Sequence, residues 1–263
     1  MSKRIPIIEL YGPTIQGEGM LIGHPTHFLR TGGCGYKCAW CDSMHAVDPQ
    51  QVKANRTMMS VEEIVRRIDT LPRAPWLTLT GGDPCLHEEL GNIVGLMWHR
   101  DVRVCVETQG ELWPEWLRSV DAVTFSPKGP SSKNITDVAE FRDNLVKYRQ
   151  HSRSKVAIKV VVFTQSDLEY ASNVYNEVRP RVGAPLYDKF YFQVGSPLLS
   201  DSPDFPENEL RESLLADWMR GSILTRYHWL VEALLEHVDE LDENTAITPQ
   251  VHTLLWPTEA RGR

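Results

Sequence analysis

The chain has 263 residues, 41% of them hydrophobic and 24% charged, with a net charge of −7. That length suits one fairly large domain, or one domain with an appendage, with a sizeable buried core. The acidic balance disfavours general nucleic-acid binding, and no run of about twenty apolar residues is present to span a membrane. The opening MSKRIPIIELYG lacks the apolar segment and cleavage site of a secretory signal. Five cysteines, three of them crowded, fit reduced thiols in a cytoplasmic protein better than a disulfide framework.

Residues 5–10 read as a short strand and 11–23 as a glycine-containing loop. A second strand, 26–30, feeds straight into the cysteines. Ser60 and Glu63 make a capping box for a helix over 61–71, with Val61, Ile64, Val65 and Ile68 at helical spacing. Strand 76–80 ends in the turn Gly81–Gly82. A helix through Leu90–Trp98 leads to strand 102–107, a helical turn near 113–117 and strand 122–125. A helix over 137–149 precedes strand 156–163, in which Lys159 interrupts an apolar run. An unpaired lysine there is costly, so Lys159 is expected to point into a barrel mouth or to pair with a carboxylate. Ser166 and Glu169 read as a second capping box, opening a helix to about 178. Strand 189–194, a Pro- and Ser-rich loop over 195–206 and a pair of helices follow. Leu210, Leu214 and Trp218 line the first of that pair, and Ile223, Tyr227, Leu230, Val231 and Leu234 the second. Both stripes are read as core packing, with an appendage or a dimer surface as the other uses.

Strands alternating with helices predict an α/β fold with a parallel sheet. About six such units are too few for a complete eight-stranded barrel, and the pattern fits both a partial barrel and an open doubly wound sheet.

The stretch Thr31–Ser43 concentrates the chemistry. Cys34, Cys38 and Cys41 stand in a Cys-x3-Cys-x2-Cys spacing. Thiolates are the ligands that an iron–sulfur cluster needs, and three of them on a four-iron cube leave one iron open. Gly32, Gly33 and Gly35 let the backbone wrap a bulky group. A structural zinc site is the rival reading, but it wants four ligands and paired spacing. Cys85 and Cys105 are single and distant, and are read as small buried hydrophobes.

With Trp40 before the last cysteine, this motif resembles the signature of the radical S-adenosylmethionine superfamily. Thr80-Gly81-Gly82-Asp83-Pro84 resembles that family's GGE motif, with Asp in place of Glu. The resemblance extends over nearly the whole chain to the 7-carboxy-7-deazaguanine synthase family. Gln16-Gly17-Glu18-Gly19, Arg30, Asp42-Ser43, Glu107-Thr108-Gln109-Gly110, Ser126-Pro127-Lys128 and Pro249-Gln250-Val251-His252 with Trp256 match its motifs in order.

The resemblance implies a single radical SAM domain over 1–263: a partial (β/α) barrel with extra C-terminal helices, the cluster loop at 31–43 and a helical insertion at about 206–240. It implies ring contraction of 6-carboxy-5,6,7,8-tetrahydropterin to 7-carboxy-7-deazaguanine with loss of ammonia, as in queuosine biosynthesis. A [4Fe-4S] cluster on Cys34, Cys38 and Cys41, S-adenosylmethionine and Mg2+ on Ser43 are the implied cofactors. Trp40, Asp42, Gly82, Asp83, Glu107, Ser126, Pro127 and Lys128 are implied around S-adenosylmethionine; Asp42 is also a candidate to read the substrate ring or orient the metal's waters. Ile15, Gln16, Gly17, Glu18, Arg30, Thr80 and His252 are implied around the pterin. No catalytic residue beyond cluster and cofactor is expected. A flavodoxin or ferredoxin donor and a homodimer are implied; no nucleic acid or membrane is. The competing readings are a glycyl-radical-enzyme activase, which would not need Glu18, Arg30 or Ser43, and a zinc-stabilised binding module.

Overall fold

The computed structural model describes residues 3–179, 185–197, 201–205, 210–238 and 240–256. Among them are nine strands: β1 Ile5–Ile15, β2 Pro25–Thr31, β3 Thr57–Met59, β4 Trp76–Gly81, β5 Arg103–Thr108, β6 Ala122–Phe125, β7 Lys155–Val162, β8 Lys189–Val194 and β9 Thr245–Thr248. The helices are α1 Met44–Val47, α2 Pro49–Asn55, α3 Val61–Asp69, α4 Leu90–Trp98, α5 Val138–His151, α6 Gln165–Val178, α7 Arg211–His237 and α8 Val251–Leu255. No helix among the described residues is long and apolar enough to cross a membrane.

The strands form one sheet in the order β3-β1-β2-β4-β5-β6-β7-β8-β9. From β2 onward every pairing is parallel and follows chain order. This decides between the two architectures the pattern allowed. A doubly wound sheet reverses direction at a switch point, which sends helices to both faces. Crossovers that always step the same way keep the helices on one face and curl the sheet toward a barrel. The sheet has two edges, β3 and β9, so the fold is a partial barrel.

Side-chain alternation sorts each strand between the two faces. Leu77, Leu79, Val104, Val106, Val123, Phe125, Ile158, Val160, Phe190 and Phe192 belong to the main core beneath the helices. Their neighbours Thr78, Thr80, Cys105, Glu107, Thr124, Lys159 and Gln193 therefore face the concave side. The bottom of that side is closed by a small apolar cluster of Leu21, Trp76, Cys105 and Ala122. Cys85 is buried too, so both outlying cysteines pack as hydrophobes.

Four expectations need correction. The first strand continues to Ile15 rather than ending at residue 10. A register shift between Tyr11 and Thr14 absorbs Gly12 and Pro13, and the ladder with β2 outweighs their breaker character. The segment after residue 206 holds one 27-residue helix, α7, not two. Gly221 costs a helix roughly 1 kcal/mol, which packing of Met219, Ile223, Leu230 and Leu234 outweighs. Of the two stripes expected in the core, only most of the second is: Ile223, Leu230 and Leu234 are buried with Tyr227 packed against the core, Val231 is half-buried, and Leu210 and Leu214 are exposed. Residues 198–200 and 206 of the expected loop, and 206–209 and 239 of the expected insertion, lie outside the described residues. Short β3, β9, α1, α2 and α8 were not foreseen.

The fourth correction is the cap of α6. The box forms at Thr164 and Asp167, not at Ser166 and Glu169. Asp167 is fully buried. Its Oδ2 accepts from the Phe163 and Thr164 amides, each at 3.1 Å, while Oδ1 accepts from the Ser131 amide at 2.9 Å. One carboxylate thus caps the helix and ties two top loops together. Asp167→Ala should lower unfolding free energy by about 2–3 kcal/mol, and Glu169→Ala by no more than about 0.5 kcal/mol. Urea unfolding of the two variants side by side checks which box is real.

Candidate active site

The parallel strands bring the loops that follow them to one edge, where such sheets assemble sites. The cysteine loop follows β2, the Gly82–Leu86 turn β4, Gln109–Gly110 β5, Ser126–Lys128 β6, Phe163 β7 and Ser196 β8. Gln250 and His252 follow β9.

Below that edge the concave face is polar, and Glu18 is its hub. The Gln16–Leu21 segment does not stay outside as a loop. It turns into the barrel, where the Met20 amide donates to Thr124 Oγ1 at 3.1 Å and the Cα of Gly19 lies against Thr124. Glu18 Oε2 receives Lys159 Nζ and Gln193 Nε2, the latter at 2.9 Å; Oε1 receives Gln250 Nε2 at 2.7 Å, with His252 Nδ1 at 3.6 Å. Burial opposes ionisation of Glu18, yet Lys159 and His252 hold its carboxyl well below the ordinary range. Burial likewise opposes the charge on Lys159, but Glu18 and Glu107 keep it above the usual lysine value. Lys159 thus meets the expectation that it pairs with a carboxylate. Gln16 links the hub to β5 through Nε2 on Glu107 Oε1, 3.2 Å.

A carboxylate oxygen of Glu18, one of Asp42 and a ring nitrogen of His252 lie within 4.8 Å of one another. That trio has the composition of a cation site, but Lys159 already neutralises its buried carboxylate. The geometry therefore favours a charge-paired binding wall.

Arg30 stands at the mouth. Its Nε donates to Glu9 Oε2 at 2.9 Å and its Nη1 to Ser43 Oγ at 3.1 Å; Ser43 in turn donates to Asp42 Oδ1 at 3.0 Å. One side of its guanidinium is thus occupied by Glu9, a partner the sequence reading did not identify. Thr80 pairs with Arg30 in the β2–β4 register and is buried on the same face.

Cys34, Cys38 and Cys41 all carry free thiols. Burial pushes Cys34 up to about 11 and Cys41 to about 12, and raises Cys38 as well. Three soft ligands share one loop with no disulfide between them, which fits an iron–sulfur cluster. Trp40 lies over Phe163 with ring centroids 4.9 Å apart and donates Nε1 to Ser131 Oγ at 2.8 Å. Lys128 sits 5.6 Å from the Trp40 ring centroid, donates to Ser126 Oγ at 3.0 Å, and is held below the usual lysine value by burial. Pro127 is buried between them in the chain.

Asp83 offers the clearest test of fit for a cofactor's cationic group. It is fully buried. Its Oδ1 accepts from the Cys85 amide (3.0 Å) and Thr108 Oγ1 (2.9 Å), while Oδ2 has no partner among the described residues. Burial raises the carboxyl to about 6. An orphaned buried carboxylate oxygen beside the thiol loop suits an ammonium ligand. Gly82 also joins two loops. A Cβ there would strike the Gly33 and Ala46 carbonyls, so glycine lets the two loops touch, and the Asp83 amide donates to Gly33 at 2.7 Å.

The radical SAM superfamily model matches residues 28–169. The 7-carboxy-7-deazaguanine synthase of Bacillus subtilis is 36% identical over 259 residues, covering 97% of this chain and 98% of that protein. The chain belongs to the 7-carboxy-7-deazaguanine synthase family. The synthase of Bacillus cereus is 34% identical over 97% of this chain and 98% of that protein. The fold matches the crystal structure of QueE from Escherichia coli with a TM-score of 0.62 over 95% of each chain, at 19% identity. Membership of this synthase family displaces the glycyl-radical activase and zinc-module readings.

The structure gathers Gln16, Glu18, Arg30, Asp42, Ser43, Thr80, Glu107 and His252 around one face, and adds Glu9, Lys159, Gln193, Ser196 and Gln250, which the site prediction left out. Ile15 ends β1 at the level of Pro25, the opposite end of β2 from the cysteines. Gly17 carries α8: its carbonyl accepts from the Val251 amide at 3.1 Å, and a Cβ on it would collide with His252. Gln193 is legible in retrospect as the polar residue at an inward position of KFYFQV.

Lys159→Met leaves Glu18 buried without its cation and should cost about 3–5 kcal/mol, with part recovered in Glu18→Gln/Lys159→Met. The depressed Glu18 carboxyl stabilises the fold above the ordinary carboxylate range, and that share is lost as pH falls. Chemical denaturation of wild type and both variants at neutral and acidic pH measures this: the wild-type advantage should shrink on acidification.

Proposed function

We propose that the protein is a 7-carboxy-7-deazaguanine synthase that contracts the ring of 6-carboxy-5,6,7,8-tetrahydropterin, with loss of ammonia, beneath the three-thiol loop. The observation that carries this reading is the polar concave layer in which a charge-paired Glu18, Arg30 and Ser43 face the loop of Cys34, Cys38 and Cys41. Bound there, a [4Fe-4S] cluster and S-adenosylmethionine supply one-electron cleavage and radical hydrogen transfer at the substrate.

This chain's own residues bind and orient. Cys34, Cys38 and Cys41 would hold the cluster through their thiolates. Asp83 takes the cofactor's amino group on its unpartnered oxygen. Trp40, Asp42, Gly82, Glu107 and Ser126–Lys128 shape the rest of that pocket. Arg30 offers a guanidinium edge to the substrate carboxylate. Glu18 is held rigid by four partners and accepts from the pterin's guanidine-like N–H groups. The backbone of 15–17, Thr80 and His252 complete the wall. Ser43 Oγ and the Asp42 carboxylate present adjacent hard oxygens, which suit Mg2+ with a partial water shell.

The same reading takes residues 1–263 as a single radical SAM domain. It includes a cytoplasmic location, a flavodoxin or ferredoxin donor, assembly as a homodimer and a place in queuosine or related deazapurine synthesis.

Anaerobic incubation with carboxytetrahydropterin, S-adenosylmethionine, Mg2+ and a reductant should yield a deazapurine; no product from protein with a full cluster sinks the proposal. Arg30→Ala should lower product formation about 100-fold while cofactor cleavage persists. Asp83→Asn should keep its iron yet weaken S-adenosylmethionine binding about tenfold, read by anaerobic equilibrium dialysis.

A further inference from the structure

Two polar side chains at the cysteine loop belong to neither the cofactor pocket nor the pterin wall: Gln109 and Glu111. Both follow β5. Between them Gly110 takes a left-handed turn, φ +85°, which brings both side chains back to the loop. Gln109 is only 5% exposed, whereas Glu111 is exposed.

Their contacts run in one line to a sulfur. Gln109 Nε2 donates to Glu111 Oε2 at 3.1 Å, and Gln109 Oε1 accepts from the Cys34 thiol at 3.2 Å. The Tyr36 amide donates to the same sulfur at 3.4 Å. Among the described residues no other side chain hydrogen-bonds Cys34, Cys38 or Cys41. The Glu111 carboxylate also packs against Gly35, where a Cβ would strike its Oε2.

The protonation state of the sulfur decides which end of the amide serves it. A thiol has a proton to give and meets an oxygen. A thiolate bound to iron has none and is itself an acceptor, so only Nε2 suits it. The two ends of a carboxamide have nearly the same shape, and a half-turn about the last side-chain bond exchanges them. That half-turn sets Gln109 Oε1 against Glu111, acceptor against acceptor, so one group has to yield. Cys34 is fixed in its loop and Gln109 is buried. The Glu111 carboxylate ends a flexible, exposed side chain and has water to receive it. Glu111 is the group that moves, and the buried donor goes to sulfur.

We propose that Gln109 donates Nε2 to the Cys34 thiolate and thereby stabilises the reduced cluster, and that Glu111 opposes this by competing for the same donor. The inference rests on the proposed reading of the loop as a cluster site. One electron from an external one-electron reductant adds negative charge that spreads over the sulfurs. An N–H aimed at a sulfur favours that form and raises the reduction potential. Glu111 lowers it, by its charge and by drawing the amide away. Gln109 acts through Cys34 and touches no substrate.

The test is an EPR-monitored redox titration with dithionite on the anaerobically reconstituted full chain, without S-adenosylmethionine and after iron and sulfide analysis. Gln109→Glu keeps the shape and removes the donor; Gln109→Leu removes both polar ends. Each should lower the ratio of reduced to oxidised cluster at a fixed potential about tenfold, which is about 59 mV for a one-electron couple. Glu111→Gln should raise that ratio, since its own Nε2 can donate to the turned Gln109 Oε1. Most of this gain should vanish in Gln109→Leu/Glu111→Gln. A potential unmoved by the Gln109 substitutions, or by Glu111→Gln at its exposed position, overturns the proposal. So does a Glu111→Gln shift of equal size in both backgrounds, which would make Glu111 a charge acting through space alone. Wild-type protein that takes up no iron and sulfide instead sinks the cluster reading beneath it.

Discussion

The buried pairing of Glu18 with Lys159 is the constraint on which the site's geometry depends. A glutamate and a lysine, each almost sealed from water, persist as charges only because each neutralises the other. Such a pair adds little net stability compared with an apolar core, but breaking it is costly. Its consequence is positional. Residues 16–21 must lie inside the sheet for Glu18 to reach β7, and the end of β1 must lead there. The glycines at 17 and 19 follow from that path, since a side chain at either would meet His252 or Thr124. An open sheet that would otherwise expose a hollow face is thereby filled from its own N-terminal segment.

The C-terminal segment is anchored to the same point. Gln250 and His252 reach Glu18, the Val251 amide reaches the Gly17 carbonyl, and Ser196 holds Gln250 from the loop after β8. The two ends of the described chain thus close one wall around a single carboxylate. Across the mouth, Arg30 is held by Glu9 and reaches toward Ser43. Positive and negative groups alternate from Asp42 through Arg30 to Glu9, which preorganises the wall for a charged, polar substrate.

The thiol loop obeys a different logic. Its cysteines are buried enough to resist ionisation when unligated, while the loop's backbone is locked to the Gly82–Asp83 turn and to the carbonyl of Ala46. Rigid loops on either side of an orphaned Asp83 oxygen give a site whose unmet demand is for cationic chemistry. Phe163, fixed beneath Trp40, connects this loop to the α6 cap, where Asp167 binds both the strand end and Ser131. Chemistry and folding meet at that carboxylate.

The sequence by itself determined the class of chemistry and most of the strands. Three cysteines at this spacing permit few other uses, and the apolar runs at 76–80, 122–125 and 189–194 form strands under almost any packing. Ser60 with Glu63 set a helix start through contacts three residues apart. Only the tertiary structure decided what depends on partners distant in the chain. Gly12-Pro13 reads as a breaker until β2 supplies a ladder to carry it. Asp167 prevails over Glu169 as a cap because burial gives its second oxygen a further donor. Gly221 looks like a helix end until the core beneath α7 spans it. Lys159 signalled that a carboxylate was needed, but nothing local could say which: its partner lies 141 residues away, and only the curl of the sheet brings the two together.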